Sequence, residues 1–185
     1  MMIHIYYMRK IIITGGLGYI GMELSKIYSG KSRNFDITVI DSNFFSERVS
    51  QLKRWGIKFK QIDILDQTKL KEAIHDADLI YHLAGITDVA TTKEDVDVER
   101  EKKVYDVGVK GTQNIIKLSN ENTKIVFPST HVIFEGLTRV VKDINEDYKP
   151  KPVLDYSKGK VESEKDLINS NKNFVILRIG SLYAN

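Results

Sequence analysis

The chain has 185 residues, 42% of them hydrophobic, which is enough for one sizeable core and too few for a second full domain. Its 28 basic residues are interspersed with 25 acidic ones for a net charge of +3, so no electrostatic footprint for nucleic acid stands out. With no cysteine and four histidines at no ligand-like spacing, disulfides and a metal centre are not expected, and no run approaches the roughly 20 apolar residues of a membrane-spanning helix.

The opening MMIHIYYMRK carries neither a basic leader ahead of a long apolar run nor a small-residue cleavage site, so we expect a cytoplasmic protein without a membrane partner. Met8 is an alternative start, which makes residues 1–8 an extension to the domain. From there, apolar runs alternate with amphipathic stretches. Strands are expected at 10–14, 37–40, 58–62, 79–83, 124–128 and 174–179, and helices at 19–29, 46–55, 66–75, 96–120 and 156–170. Short Ile- and Val-rich strands between helices belong to a parallel sheet buried on both faces. Right-handed crossovers then leave a doubly wound α/β sheet, the Rossmann fold, over residues 1–185. Strand order 3-2-1-4-5-6 would put a ligand crevice between strands one and four.

The turn after the first strand, Ile13-Thr14-Gly15-Gly16-Leu17-Gly18-Tyr19-Ile20-Gly21, fits two glycine patterns, one through Gly16, Gly18 and Gly21 and the other through Gly15, Gly18 and Gly21. In either, glycine permits a tight turn, and the backbone of Gly18, Tyr19, Ile20 and Gly21 opens a helix whose N–H groups and dipole suit a pyrophosphate. Asp41 ends the second strand twenty residues after Gly21, the spacing at which a carboxylate meets an adenosine ribose. Its charge would repel a 2′-phosphate, and no arginine is adjacent, so NAD is expected over NADP. The plainer role for Asp41 is a helix cap. Asp63-Ile64 after the third strand suits an adenine contact, or equally a turn. Leu83-Ala84-Gly85 after the fourth places small residues where a dinucleotide would pass, or simply ends a strand.

Downstream, Tyr156 and Lys160 stand i and i+4, on one face of a helix. An ammonium beside the phenol would lower its pKa toward working pH and make it a usable acid or base. A solvated Tyr–Lys pair is the common alternative. Thr130, ending the fifth strand after Pro128-Ser129, would hold a substrate hydroxyl for proton transfer to Tyr156; otherwise Ser129 or Thr130 only closes a turn. The mixed-charge run 93–103 reads as a solvated helix face, and Thr87-Asp88 and His131 as secondary candidates for substrate contact.

With these residues in order, the chain resembles the extended branch of the short-chain dehydrogenase/reductase superfamily, the NAD-dependent nucleotide-sugar epimerases and dehydratases. The likeness rests on T-G-x-x-G-x-x-G at Thr14 to Gly21, His82-Leu83-Ala84-Gly85, Val109-Lys110-Gly111-Thr112-Gln113-Asn114, Thr130 with Phe134-Glu135-Gly136, Tyr156-x-x-x-Lys160-x-x-x-Glu164, and Leu177-Arg178 with Leu182-Tyr183. It favours the register through Gly15, Gly18 and Gly21, with Gly16 an extra small residue. It implies Thr130, Tyr156 and Lys160 as catalytic residues and Lys160 as a second hold on the nicotinamide ribose. It also implies a homodimer built on the fourth and fifth crossover helices. Departures narrow this. Gly108 replaces the usual asparagine, Phe134 the usual tyrosine, and Ala184-Asn185 the usual glycine-proline, while His131-Val132 stands where dehydratases carry Asp-Glu. Without those carboxylates, dehydration is disfavoured. The family pattern continues past the position of Asn185 into a smaller region that grips the nucleotide sugar, so we expect this chain to be the cofactor-binding portion. The expected function is an NAD-dependent epimerase-like oxidoreductase acting on a nucleotide-sugar substrate. The alternatives are a one-way reductase or dehydrogenase, or a non-catalytic dinucleotide-binding module.

Overall fold

A computed structural model describes residues 8–31, 34–87 and 98–182. Asp88, the opening 1–7, the first half of the charged run 93–103, and Tyr183-Ala184-Asn185 lie outside the described residues. Six parallel strands form one sheet in the order β3-β2-β1-β4-β5-β6. They are β1 (Arg9–Thr14), β2 (Phe35–Asp41), β3 (Lys58–Gln61), β4 (Leu79–His82), β5 (Lys124–Thr130) and β6 (Asn173–Ile179). Between them run α1 (Tyr19–Tyr28), α2 (Ser46–Arg54), α3 (Gln67–Ile74), α4 (Val98–Tyr105), α5 (Gly111–Leu118) and α6 (Asp155–Ile168). Each expected element is present, with ends that move by one or two residues, as frayed termini do.

The strand alternation shows why both faces are apolar. Ile12 of β1 joins a core with Leu70 and Ile74 of α3, Ile115 of α5 and Leu167 of α6. Its neighbours Ile11 and Ile13 point the other way, onto Leu17, Leu52 of α2 and Met22 of α1. A run of three isoleucines in β1 therefore serves two cores at once, which a half-exposed strand would not require.

The one clear departure from expectation is the long helix at 96–120. Its described part is divided by a wider π-helical stretch, Asp106–Lys110, between α4 and α5. Two glycines mark the place. A Cβ on Gly111 would lie 2.2 Å from Ile64 Cδ1, so the missing side chain lets α5 close onto the β3–α3 turn. The Gly108 carbonyl accepts side-chain hydrogen bonds from Thr112 Oγ1 at 2.6 Å and from Ser163 Oγ of α6 at 3.1 Å. Side chains that hydrogen-bond a helix carbonyl are a recognised cause of such irregularities. No described helix is long and apolar enough to cross a membrane.

Candidate active site

The carboxyl ends of the strands enclose a cleft of about 900 Å³. Every residue singled out for cofactor or catalysis lines it. Gly15, Gly18, Tyr19, Ile20 and Gly21 come from the β1–α1 loop, Asp41 from β2, and Asp63 and Ile64 from the turn after β3. Leu83, Ala84 and Gly85 follow β4, Thr130 ends β5, and Tyr156 and Lys160 project from α6. The crevice lies where the sheet order reverses, between β1 and β4.

The glycines do different work. Gly15 has φ +63°, and a Cβ there would lie 2.6 Å from the backbone of Ala84, so two requirements exclude a side chain. Gly16 is more than the spare small residue expected from sequence. Its Cβ would meet Val39 Cγ1 at 2.6 Å, and one on Gly21 would meet Gly16 Cα at 2.4 Å, so the pair seats α1 on the sheet. Gly18 is the exception. A Cβ there would meet only Gly15 O, at 3.1 Å, and would otherwise face the cleft. Gly18 is also the N-cap of α1 and offers no side-chain cap, which leaves first-turn N–H groups for another acceptor.

Asp41 is held at the rim of the cleft by two backbone donors. Oδ2 accepts from Leu17 N at 3.1 Å and Oδ1 from Asn43 N at 3.0 Å. The helix-cap alternative fails, since α2 begins after Phe45 with no side-chain cap. Asp63 Oδ1 accepts from Leu65 N at 2.9 Å, so it closes its turn and lines the cleft as well. Sequence reasoning missed Arg48. It lies in the first turn of α2, donates to Leu17 O, and rests 5.2 Å from the Phe45 ring centre at the cleft wall. The seven-residue gap from Asp41 hid it, although a helix beginning at 46 would have brought it back.

His82 is buried between strands and helices. Its Nδ1 lies 2.9 Å from Thr14 Oγ1 and its Nε2 3.0 Å from Thr112 Oγ1, while its ring stacks 5.7 Å from Phe127. Ala84 N also reaches Thr14 Oγ1, at 3.3 Å. The turn after β4 is thus tied to the glycine loop and to α5.

Lys160 Nζ donates to Pro128 O at 2.8 Å and lies 4.5 Å from the Phe127 ring centre. Burial pushes its pKa down to about 8, against the opposing pull of Glu164. It is 5.9 Å from the Tyr156 ring centre. The expected lowering of the Tyr156 pKa is not what this geometry produces. Burial raises the phenol above its ordinary value, and Lys160 is aimed at a carbonyl instead of at the phenol oxygen.

Two further contacts position α6. Glu164 is buried and takes Arg178 of β6 in two bonds, Nε at 3.2 Å and Nη2 at 2.8 Å. Glu135, to which the sequence analysis assigned no role, accepts at Oε1 from Val153 N (2.8 Å), Leu154 N (2.7 Å) and Ser157 Oγ (2.5 Å). It therefore caps α6, whose own N-cap, Leu154, has no side-chain acceptor. Thr130 Oγ1 accepts from Val132 N at 3.1 Å, so it does close a turn, the short 3₁₀ segment His131–Phe134. Among the described residues no cluster of three or more His, Asp or Glu is arranged to hold a metal ion.

A model of the 3-beta hydroxysteroid dehydrogenase/isomerase family matches residues 12–184. A UDP-glucose 4-epimerase from Mycoplasma genitalium is 32% identical over 134 residues, which are 70% of this chain and 38% of that protein. A dTDP-D-glucose 4,6-dehydratase from Dictyostelium discoideum is 26% identical over 199 residues, covering 96% of this chain and 45% of that one. The structure of UDP-glucuronic acid 4-epimerase from Bacillus cereus in complex with NAD superposes with a TM-score of 0.72 at 23% identity, over 94% of this chain and 57% of that one. The chain thus spans about half the length of the proteins it matches.

Proposed function

Because the chain belongs to the 3-beta hydroxysteroid dehydrogenase/isomerase family, among the epimerase- and dehydratase-like short-chain dehydrogenases/reductases, we propose that it forms the NAD-binding part of an oxidoreductase acting on a nucleotide sugar, with epimerisation as the favoured outcome. The observation that carries this reading is the convergence on one cleft of the glycine loop, Asp41, the Leu83-Ala84-Gly85 turn, Thr130, Tyr156 and Lys160. The relatives named as a UDP-glucose 4-epimerase and a dTDP-D-glucose 4,6-dehydratase support the substrate class.

The residues present suit the dinucleotide. Gly18 leaves space at the cleft that a side chain would enter, Gly15 lets the loop close on the Ala84 backbone, and Gly18 to Gly21 present the uncapped start of α1 to a pyrophosphate. Asp41 would take the adenosine ribose, Asp63 and Ile64 the adenine, Leu83 to Gly85 the passage between the halves, and Lys160 the nicotinamide ribose. When bound, NAD supplies the hydride acceptor and later the hydride donor. Thr130 would orient the sugar hydroxyl, and Tyr156, once ionised to the phenolate, would take its proton as the carbon becomes a ketone. The same phenol would return the proton as the ketone is reduced again, and reduction on the opposite face would invert the carbon.

The raised pKa of Tyr156 is the one observation that favours a second reading, a binding module without turnover. Both readings require NAD binding, which calorimetry tests directly. We expect NAD to bind about tenfold or more tightly than NADP, a difference of roughly 1.4 kcal/mol, with Asp41→Ala removing the preference. Gly18→Val should abolish binding while circular dichroism stays unchanged, since the side chain would enter the cleft and not the core. Tighter NADP binding would strip Asp41 of its ribose role, and undiminished binding by Gly18→Val would remove the loop assignment.

A further inference from the structure

Pro128, Ser129 and Thr130 end β5 at the cleft, and all three line it. Sequence alone offers Ser129 nothing beyond closing a turn, but that task falls to Thr130, whose Oγ1 accepts from Val132 N. Ser129 is only 4% exposed. Its Oγ is the buried side-chain polar atom that has no hydrogen-bond partner among the described residues. A buried hydroxyl without a partner is unfavourable and is rarely kept unless something else satisfies it.

Its surroundings say which part of a ligand does so. Strand alternation puts Ser129 on the same side of the sheet as Phe127, over whose ring Lys160 Nζ lies. Lys160 Nζ itself bonds the carbonyl of Pro128, one residue before Ser129. Ser129 therefore stands on the strand face that carries Phe127, over which Lys160 Nζ lies, at the catalytic end of the cleft and far along the sheet from Asp41 at β2. We propose that Ser129 Oγ is a hydrogen-bonding contact for the nicotinamide nucleoside half of the dinucleotide, acting next to Lys160. The assignment rests on the NAD reading above and extends it to a residue for which the sequence suggests only a turn. No bond is made or broken by Ser129; it binds.

The test compares Ser129→Ala with the unaltered chain by calorimetry with NAD and with ADP, and by thermal unfolding without ligand. ADP reports the adenosine and pyrophosphate half alone. We expect the NAD dissociation constant to rise about three- to tenfold, as for loss of one hydrogen bond, while ADP binding stays the same. The ligand-free midpoint should be unchanged or higher, because no internal bond is lost. Unaltered NAD affinity overturns the assignment and leaves the NAD reading standing. Equal loss for NAD and ADP, or a lower ligand-free midpoint with unaltered NAD affinity, gives Ser129 a purely structural role and also overturns it. An unaltered chain that binds no NAD overturns both.

Discussion

His82 Nε2 lies 3.0 Å from the Thr112 hydroxyl, and the direction of that bond is fixed by the next one, since Thr112 Oγ1 gives its hydrogen to Gly108 O at 2.6 Å. Nε2 must then be the donor, and Nδ1 accepts from Thr14 Oγ1. Thr14 Oγ1 in turn accepts from Ala84 N. One neutral imidazole, in one tautomer, thereby joins the glycine loop, the turn after β4 and the π-helical stretch, where Ser163 brings in α6.

This chain of bonds has no place for a second ring proton. Burial, with the Lys160 charge in support, holds the His82 pKa down to about 3, against about 6.5 for an unfolded histidine. A depressed folded pKa contributes stability that is fully present above about pH 6.5 and is lost as pH falls through the window toward 3. We expect the thermal midpoint to decline from pH 6.5 downward. In His82→Phe the decline over that window should be shallower, although stability at pH 7.5 drops by about 1–3 kcal/mol because the buried Thr14 and Thr112 hydroxyls each lose their bond to the imidazole. Parallel pH profiles for the two proteins would show that His82 is not the titrating group.

Glu135 gives α6 the cap that Leu154 lacks. Burial alone would raise this carboxyl. The hydrogen bonds from Ser157, Leu154 and Val153, with the Lys158 charge, instead hold it below the usual range. Glu135→Ala should lower unfolding free energy by about 0.5–2 kcal/mol, the cost of losing an N-cap. Glu135→Gln, which keeps an acceptor oxygen but loses the charge that suits a helix N-terminus, should fall between the two. Urea denaturation measures this, and an alanine variant as stable as the unaltered chain would remove Glu135 from the cap.

What could be read from the sequence and what could not divide along physical lines. The strands were legible because each must be apolar on two faces, as Ile11, Ile12 and Ile13 show, and the cleft followed from the sheet order. Asp41 was legible through its distance from Gly21. Gly16 was not, because its need for a bare backbone comes from Val39 on another strand. The break between α4 and α5 coincides with a bond to Gly108 O from Ser163, 55 residues away. Arg48 and Glu135 likewise act through partners that no local spacing announces. The Tyr156 pKa was misjudged because helix spacing says that Lys160 is near but not where its ammonium points, nor how buried the phenol is.

That misjudgement sets the last prediction, which concerns Tyr156 and Lys160 together. In the free chain the phenol stays protonated at neutral pH, and Lys160 begins to lose its proton near pH 8. For stability the sign follows from the unfolded lysine, near 10.4. Between about pH 8 and that value the unfolded state holds more protons than the folded one, so stability rises with pH across the window. Lys160→Met should flatten that rise, as chemical denaturation at pH 7.5, 8.5 and 9.5 would show. For binding the sign is opposite, because a lysine that holds the nicotinamide ribose as an ammonium loses charge above about pH 8, and NAD affinity should weaken there. For this NAD-binding part alone we expect NAD binding without appreciable turnover; in a protein that joins it to the family's substrate-gripping region, Tyr156→Phe should lower UDP-sugar turnover by about 10²-fold or more, the scale of a lost acid/base group, with NAD affinity nearly unchanged. Lys160→Ala should reduce both rate and affinity. A Tyr156→Phe protein with undiminished turnover would refute the assigned proton transfer. If that longer protein turns over no UDP-sugar and Tyr156→Phe alters nothing beyond stability, the binding-module reading replaces the epimerase.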